Sequence, residues 1–204
     1  MTETWDHTVA EHRASTRQRL FGAAMAVLAE HGMAGATMTA IAERAGVSRP
    51  TLYKYFPDVD HLVAALAREE FASFRDELDR TIDPDSPAVE QLEHLVVAHL
   101  RYFAADRARM GDGSLEAGMS PVVRAAVEEE LVEHHARLVG ILTAGVADGS
   151  LRPDLDPDLA AELVQHVLGG MRHTVRRRDG DPLDLAPPVI RMVLTGLATN
   201  DFRP

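Results

Sequence analysis

Apolar residues recur three and four positions apart along almost the whole chain, and Gly, Pro and Asp separate one such segment from the next. This spacing places apolar side chains on one face of an α-helix. No segment alternates apolar and polar residues over the length of a typical strand. The pattern therefore predicts an all-α protein.

The breaks between these segments set the bounds of the predicted helices. We expect helices at 15–31, 38–45, 49–55, from 58 to the break at 83–87, and at 88–106, 121–147, 158–177 and 186–198. Residues 110–120 are expected to contain at most a short helix, and residues 1–14 to form a flexible arm. The apolar segment 20–29 also resembles the core of a secretion signal, but acidic residues precede it, which favours an amphipathic first helix.

Two short predicted helices between Thr37 and Phe56 are joined by a tight turn. Thr37 and Ser48 can each cap a helix, because a side-chain hydroxyl accepts a backbone N–H that has no helical partner. Gly46 permits a positive φ at the turn. Two helices joined in this way form a helix-turn-helix, whose second helix fits the major groove of DNA. An ordinary helical hairpin is the alternative.

The second of these helices carries side chains suited to DNA. Arg49 can bind guanine through two hydrogen bonds, whereas Lys54 and the hydroxyl groups can bind phosphates. The outward face is predicted to contain Arg49, Thr51, Tyr53, Lys54 and Tyr55. With the neighbouring helix, the candidate DNA-binding residues are Thr37, Thr39, Ser48, Arg49, Pro50, Thr51, Tyr53, Lys54 and Tyr55.

Charge is unevenly distributed along the chain. The 204 residues include 21 basic and 32 acidic ones, for a net charge of −11. Residues 1–57 hold six basic and five acidic residues, so the acidic excess lies in the remainder. This asymmetry suggests that only the N-terminal part approaches a polyanion, with chance as the alternative. The absence of cysteine excludes disulfides and thiolate metal sites.

Residues 15–66 resemble the DNA-binding domain of the TetR family of bacterial transcriptional regulators. The resemblance rests on Ile-Ala-Glu-Arg-Ala-Gly-Val-Ser at 41–48, on Thr51-Leu52-Tyr53 and on Tyr55-Phe56-Pro57, with Gly32 and Thr37 also at family positions. The family usually has a basic residue just after Phe-Pro. Here Val59 occupies that position between two aspartates, so backbone contacts are expected to depend more on Lys54, Tyr53, Arg13 and Arg17.

The resemblance implies a helix-turn-helix domain at 15–57 and a helical effector-binding and dimerisation domain at 58–204. It implies a cytoplasmic homodimer that binds a double-stranded DNA operator, most simply a repressor released by a small apolar or aromatic effector. A ligand-independent regulator is one alternative. A helical enzyme is another, but the sequence offers no Gly-rich phosphate loop and no Ser/His/Asp set. We expect no catalytic residue, no cofactor and no membrane contact, since no apolar run reaches the ~18 residues of a membrane span.

Two apolar stripes in the last two predicted helices resemble the dimerising end of the family. The first contains Leu159, Leu163, Val167 and Gly170, and the second contains Val189, Val193, Gly196 and Leu197. Paired across a two-fold axis, these stripes would form a four-helix bundle. A core within one chain is the alternative.

The ten histidines include no i, i+4 pair, so no metal site is predicted. His99, His134 and His166 fall on otherwise apolar stripes, where they either pack in a core or line an effector pocket. The candidate pocket residues are His99, Phe103, Met110, Met119, His134, Leu138, His166 and Met171. The glutamates at 128–130 and 133 are expected to form a solvated helix face.

Overall fold

The computed structural model describes the backbone of residues 2–110 and 118–197 and the side chains of residues 11–105 and 118–197. Helices account for the regular structure of these ranges, which confirms the all-α prediction. The helices are α1 (Thr2–Gly35), α2 (Met38–Ala45), α3 (Arg49–Tyr53), α4 (Val59–Thr81), α5 (Ala88–Met110), α6 (Pro121–Asp148), α7 (Pro157–Arg177) and α8 (Ala186–Leu197). Most of the segment expected to hold at most a short helix lies outside the described residues.

Helix α1 is longer than predicted. It begins at Thr2, so residues 2–14 are helical and do not form the predicted flexible arm. No glycine or proline occurs between Thr2 and Phe21, so nothing in the backbone interrupts the helix there. The predicted end at Gly32 corresponds to a kink, where φ is 65° and ψ is −177°. Glycine adopts this conformation because it has no Cβ.

The chain divides into two compact units. The first unit contains Met1–Glu69 and Arg109–Val127, and the second contains Glu70–Ala108 and Glu128–Pro204. This division differs from the boundary expected at residue 57, because the first turns of α4 bury Leu62 and Leu66 in the core of the first unit. Later turns of α4 bury Phe74 and Leu78 in the core of the second.

The core of the first unit holds the three helices of the helix-turn-helix region together. Its fully buried side chains come from each of them and from the start of α4: Leu20, Leu28, Ile41, Leu52 and Leu62. The rings of Phe21 and Phe56 pack at its edge, with centroids 5.8 Å apart. Burial of this apolar surface is the main stabilising contribution for so small a unit.

The second unit is cross-linked by ion pairs between α4 and α6. Arg75 binds Glu130 and lies 3.4 Å from a carboxylate oxygen of Glu133, and Arg137 binds Asp79. The prediction of a solvated face was therefore wrong for Glu130, whose side chain is 11% exposed. The sequence pattern missed this pair because the two partners are 55 positions apart.

Two buried histidines interrupt the apolar core of the second unit. His99 and His134 are 7% and 8% exposed, and their ring centroids lie 5.0 Å apart. Burial, with a smaller contribution from the nearby His134, lowers the pKa of His99 to about 3. Burial likewise lowers the pKa of His134 to about 4, with smaller contributions from Arg137 and His135. Both imidazoles are therefore neutral at physiological pH.

We expect the stability of the protein to decrease as the pH falls below about 6.5, the ordinary histidine pKa. Between that pH and the depressed pKa of the folded state, the unfolded chain binds protons that the folded chain excludes. Each histidine then lowers the free energy of unfolding by up to about 1.4 kcal/mol per pH unit. Urea unfolding followed by circular dichroism at several pH values between 7 and 4 measures this slope.

The substitution His99→Leu should remove one share of that slope. His94→Leu, at an exposed position of the same helix, is the matched control and should leave it unchanged. An unaltered slope in His99→Leu would contradict a neutral, buried His99.

Candidate functional site

Helix α2 is defined by a cap at each end. The Ala40 N–H donates to Thr37 Oγ1 over 3.2 Å, as expected of an N-cap threonine. At the other end Gly46 adopts φ 65° and ψ 35°, and its N–H donates to the carbonyls of the last turn of α2. This left-handed conformation favours glycine and turns the chain toward α3.

Helix α3 begins at a capped residue and is very short. The Thr51 N–H donates to Ser48 Oγ over 3.2 Å, and the two hydroxyl oxygens are 2.7 Å apart. Pro50 lies in the first turn, where its missing N–H costs nothing. The helix ends at Tyr53, two residues before the predicted end, and Lys54 follows as its C-cap. The predicted helix-turn-helix is thus present.

The predicted DNA-binding residues divide into two groups by exposure. The exposed ones are Thr37, Ser48, Arg49, Pro50, Tyr53 and Lys54, and the half-buried ones are Thr39, Thr51 and Tyr55. Tyr55 packs against the core of the first unit, with its ring 6.5 Å from that of Phe56. Tyr55 follows the end of α3 and is only partly exposed, and its contact with DNA stays a prediction.

The cations of the first unit differ in what they contact. Arg44 donates two hydrogen bonds to Glu30, and Arg17 lies 3.8 Å from a carboxylate oxygen of Glu69 and over the ring of Phe21. Arg49 and Lys54 have no hydrogen-bonding or ionic partner among the described side chains. The positive charge at α3 is therefore available to an external anion.

The start of α4 is acidic. Asp58 Oδ1 accepts hydrogen bonds from the His61 N–H, over 2.9 Å, and from His61 Nδ1, over 2.8 Å. The backbone hydrogen bond lowers the pKa of Asp58, and the side chain of His61 lowers it further. A carboxylate thus occupies the helix start where the family usually has a cation nearby.

The structure brings only part of the predicted effector pocket together. His99, Phe103 and His134 form one cluster with Phe74 and Tyr102, which we call the histidine cluster. Leu138 and Met171 are buried in the same hydrophobic core. Met119 instead packs against the core of the first unit, and the side chain of Met110 lies outside the described residues.

His166 does not belong to this cluster. It is exposed, because the inward face of α7 carries Ala161, Val164, Leu168 and Met171. Its Nδ1 lies 2.8 Å from the Glu162 carbonyl of the preceding turn. The prediction that it lines the pocket was wrong within this protomer.

One polar atom of the histidine cluster is unsatisfied. His99 Nδ1 donates to the Leu95 carbonyl over 2.8 Å, whereas the buried His134 Nε2 has no partner among the described atoms. The guanidinium of Arg172 lies 5.3 Å from the centroid of the Phe103 ring, at one side of the cluster. A buried nitrogen without a partner costs free energy that a ligand oxygen could recover. Within the described residues, no three His, Asp or Glu side chains could hold a metal ion.

The predicted dimerisation stripes are partly exposed. Leu159, Leu163, Gly170 and Gly196 are exposed, Val167 and Val189 are half-buried, and Val193 and Leu197 are buried in the core of the second unit. Met192, which lies outside both predicted stripes, is 55% exposed beside them. An open groove of about 440 Å³ lies between α7 and α8, and of these residues it is lined by Leu159, Leu163, Val167, Met192, Val193, Gly196 and Leu197. None of the helices in the described ranges has the length and hydropathy of a membrane span.

Both parts of the chain match known protein families. Residues 20–66 match bacterial regulatory proteins of the tetR family, and residues 85–176 match the tetracyclin repressor-like C-terminal domain. The fatty acid metabolism regulator protein of Bacillus subtilis is 29% identical over 182 residues, which cover 88% of this chain and 94% of that protein.

Two further comparisons extend this result. The crystal structure of the transcriptional regulator FadR from Bacillus subtilis was solved in complex with stearoyl-CoA, and this chain shares the fold of that protein. The TM-score is 0.75 at 24% identity, and the match covers 88% of this chain and 98% of that chain. An uncharacterized HTH-type transcriptional regulator of Mycobacterium tuberculosis is 30% identical over 149 residues, which cover 71% of this chain and 74% of that protein. The chain therefore belongs to the TetR family of bacterial transcriptional regulators, in which the helix-turn-helix binds DNA.

Proposed function

We propose that the protein is a homodimeric repressor that binds a palindromic operator and is released from it by a long-chain fatty acyl-CoA. The observation that carries the DNA-binding part is the exposed face of α3. Arg49 and Lys54 lie there without a partner among the described side chains, on a short helix capped by Ser48. The alternative of a ligand-independent regulator differs only in the last step.

Sequence-specific binding requires both base and phosphate contacts. Arg49, in the first turn of α3, has the fork of donors that pairs with guanine in the major groove. Lys54 and Tyr53, at the end of the helix, are suited to phosphates. The rest of the chain carries the acidic excess and would be repelled by DNA.

The exposed apolar surface of α7 and α8 supports the homodimer. Leu159 and Leu163 are 53% and 58% exposed on one face of α7, beside Met192 of α8. Large apolar side chains grouped on one surface favour burial against a second copy. A two-fold dimer also places two copies of α3 on successive major grooves of a palindrome.

The histidine cluster supports an effector that is apolar and carries a neutral oxygen. Phe74, Tyr102 and Phe103 provide apolar surface, and the neutral His134, in the tautomer protonated at Nε2, can donate that N–H to a carbonyl oxygen. A fatty acyl thioester has both features. The relatives that regulate fatty acid metabolism, one of them solved with stearoyl-CoA, support this class.

We expect the DNA contacts of Arg49 and Lys54 to be separable. An operator is first selected from a random duplex pool with the wild-type dimer, and binding is followed by fluorescence anisotropy across a salt series. Lys54→Ala should weaken binding to the selected and scrambled duplexes alike. It should also reduce the slope of log affinity against log salt concentration by about one per bound protomer. Arg49→Ala should mainly reduce discrimination between the two duplexes.

Arg101→Ala removes the same charge from an exposed position of the second unit and should change neither quantity. If the pool yields no preferred sequence, or if Lys54→Ala behaves like Arg101→Ala, the proposed DNA-binding surface is wrong.

We expect Leu163→Glu to convert the dimer into a folded monomer, because a carboxylate would be buried in the interface. Sedimentation velocity measures the oligomeric state. Operator affinity should fall at least tenfold, because a monomer contacts only one of the two half-sites. Val132→Glu is the control, because Val132 of α6 is 70% exposed outside the α7 and α8 surface. Dissociation by the control variant alone would move the interface to α6.

We expect stearoyl-CoA to raise the thermal midpoint of the protein and to lower operator affinity at least tenfold, whereas coenzyme A alone should do neither. His134→Leu should weaken the effect of stearoyl-CoA on both readouts and leave operator affinity without ligand unchanged. His94→Leu serves as the control. If the protein binds its operator and no acyl-CoA alters that binding, the proposal of a DNA-binding regulator stands and the proposed effector is wrong.

A further inference from the structure

One ion pair joins the first helix to the helix-turn-helix. Arg44 Nη1 donates to Glu30 Oε1 over 2.6 Å, and Arg44 Nη2 donates to Glu30 Oε2 over 2.5 Å. Both oxygens and both terminal nitrogens are thus used, which is the planar two-point geometry specific to arginine and a carboxylate. The hydrogen bonds from Arg44 lower the pKa of Glu30, and the same contact raises the pKa of Arg44.

The pair lies next to both changes of chain direction in the first unit. Glu30 is two residues before the kink of α1 at Gly32, and Arg44 is two residues before the turn at Gly46. The buried contacts between α1 and α2 are made by apolar side chains such as Leu20, Leu28 and Ile41. Apolar packing has little directionality, whereas a two-point ion pair constrains the rotation of α2 about its own axis.

We propose that the Glu30–Arg44 pair is a positioning device that fixes the orientation of α2, and through the Gly46 turn that of α3, on α1. The proposal rests on the proposed DNA-binding function. It assigns Arg44 a role that differs from those of Arg49 and Lys54. Arg44 acts on operator recognition without contacting DNA.

The geometry argues against a phosphate contact by Arg44. Its guanidinium already satisfies a carboxylate at two points, and transfer to a phosphate would leave the Glu30 carboxylate without this partner beside the DNA. His31, whose Nε2 is 3.7 Å from the same carboxylate, would be a weaker substitute. Arg49 and Lys54 face no such cost, since neither has a partner to give up within the part of the chain that the structure describes.

The test compares four dimers: wild type, Arg44→Glu, Glu30→Arg and the double variant that exchanges the two charges. Each is titrated with the operator selected by the wild-type protein and with a scrambled duplex, over a salt series. Thermal midpoints by circular dichroism show that each is folded. Arg44→Lys, which keeps the charge but not the two-point contact, is the milder variant to be used if a charge reversal does not fold.

We expect Arg44→Lys to lower operator affinity up to about fivefold per bound protomer, which corresponds to the free energy of an exposed ion pair. The charge reversals should lower the affinity further. Arg44→Lys should leave scrambled-duplex affinity and the salt slope at wild-type values. The exchanged double variant should recover most of the lost discrimination between operator and scrambled duplex.

Two results would overturn the proposal. Arg44 would be a phosphate contact if Arg44→Glu lowered the affinity for both duplexes equally and changed the salt slope by about one per protomer, with no recovery of affinity in the double variant. Wild-type discrimination in all variants would show that the pair does not position the helices. Failure to select any operator would instead refute the proposed function itself.

Discussion

The proposed DNA-binding surface depends on the burial of a single side chain, Leu52. Helix α3 has five residues, far fewer than the ~12–15 that an isolated helix needs to persist in water. It is helical because Leu52 is fully buried in the core of the first unit and because Ser48 satisfies an N–H of its first turn. The exposed residues on either side of Leu52 owe their positions to a contact on the opposite face.

The sequence was informative wherever a local rule decides the structure. Glycine and proline breaks gave the helices of the second unit to within a few residues, and the caps at Thr37 and Ser48 gave the helix-turn-helix. It was less informative where the outcome depends on a partner far along the chain. Neither the Glu30–Arg44 pair nor the Arg75–Glu130 pair can be found from helical spacing, because their partners are 14 and 55 positions apart.

The structure places two predicted site residues, Tyr55 and His166, differently from helical projection. Such a projection assumes that the helix continues and that its inward face is known. Helix α3 ends before Tyr55, and the inward face of α7 is set by other residues, so neither side chain lies where the projection placed it.

The two units also use polar groups in opposite ways. The first exposes Arg49 and Lys54, which have no partner among its described side chains, whereas the second encloses a neutral histidine pair in apolar surroundings.

Lys54 is the only lysine among the 204 residues, and it lies exposed at the end of α3. All other basic side chains, apart from the histidines, are arginines, which keep their charge and do not form amides in the way a lysine Nζ does. Acylation of a lysine side chain therefore has one target in this protein. An amide formed there removes a positive charge from the proposed DNA-binding surface. Acylation of Lys54 Nζ would therefore weaken the electrostatic attraction between the proposed DNA-binding surface and DNA.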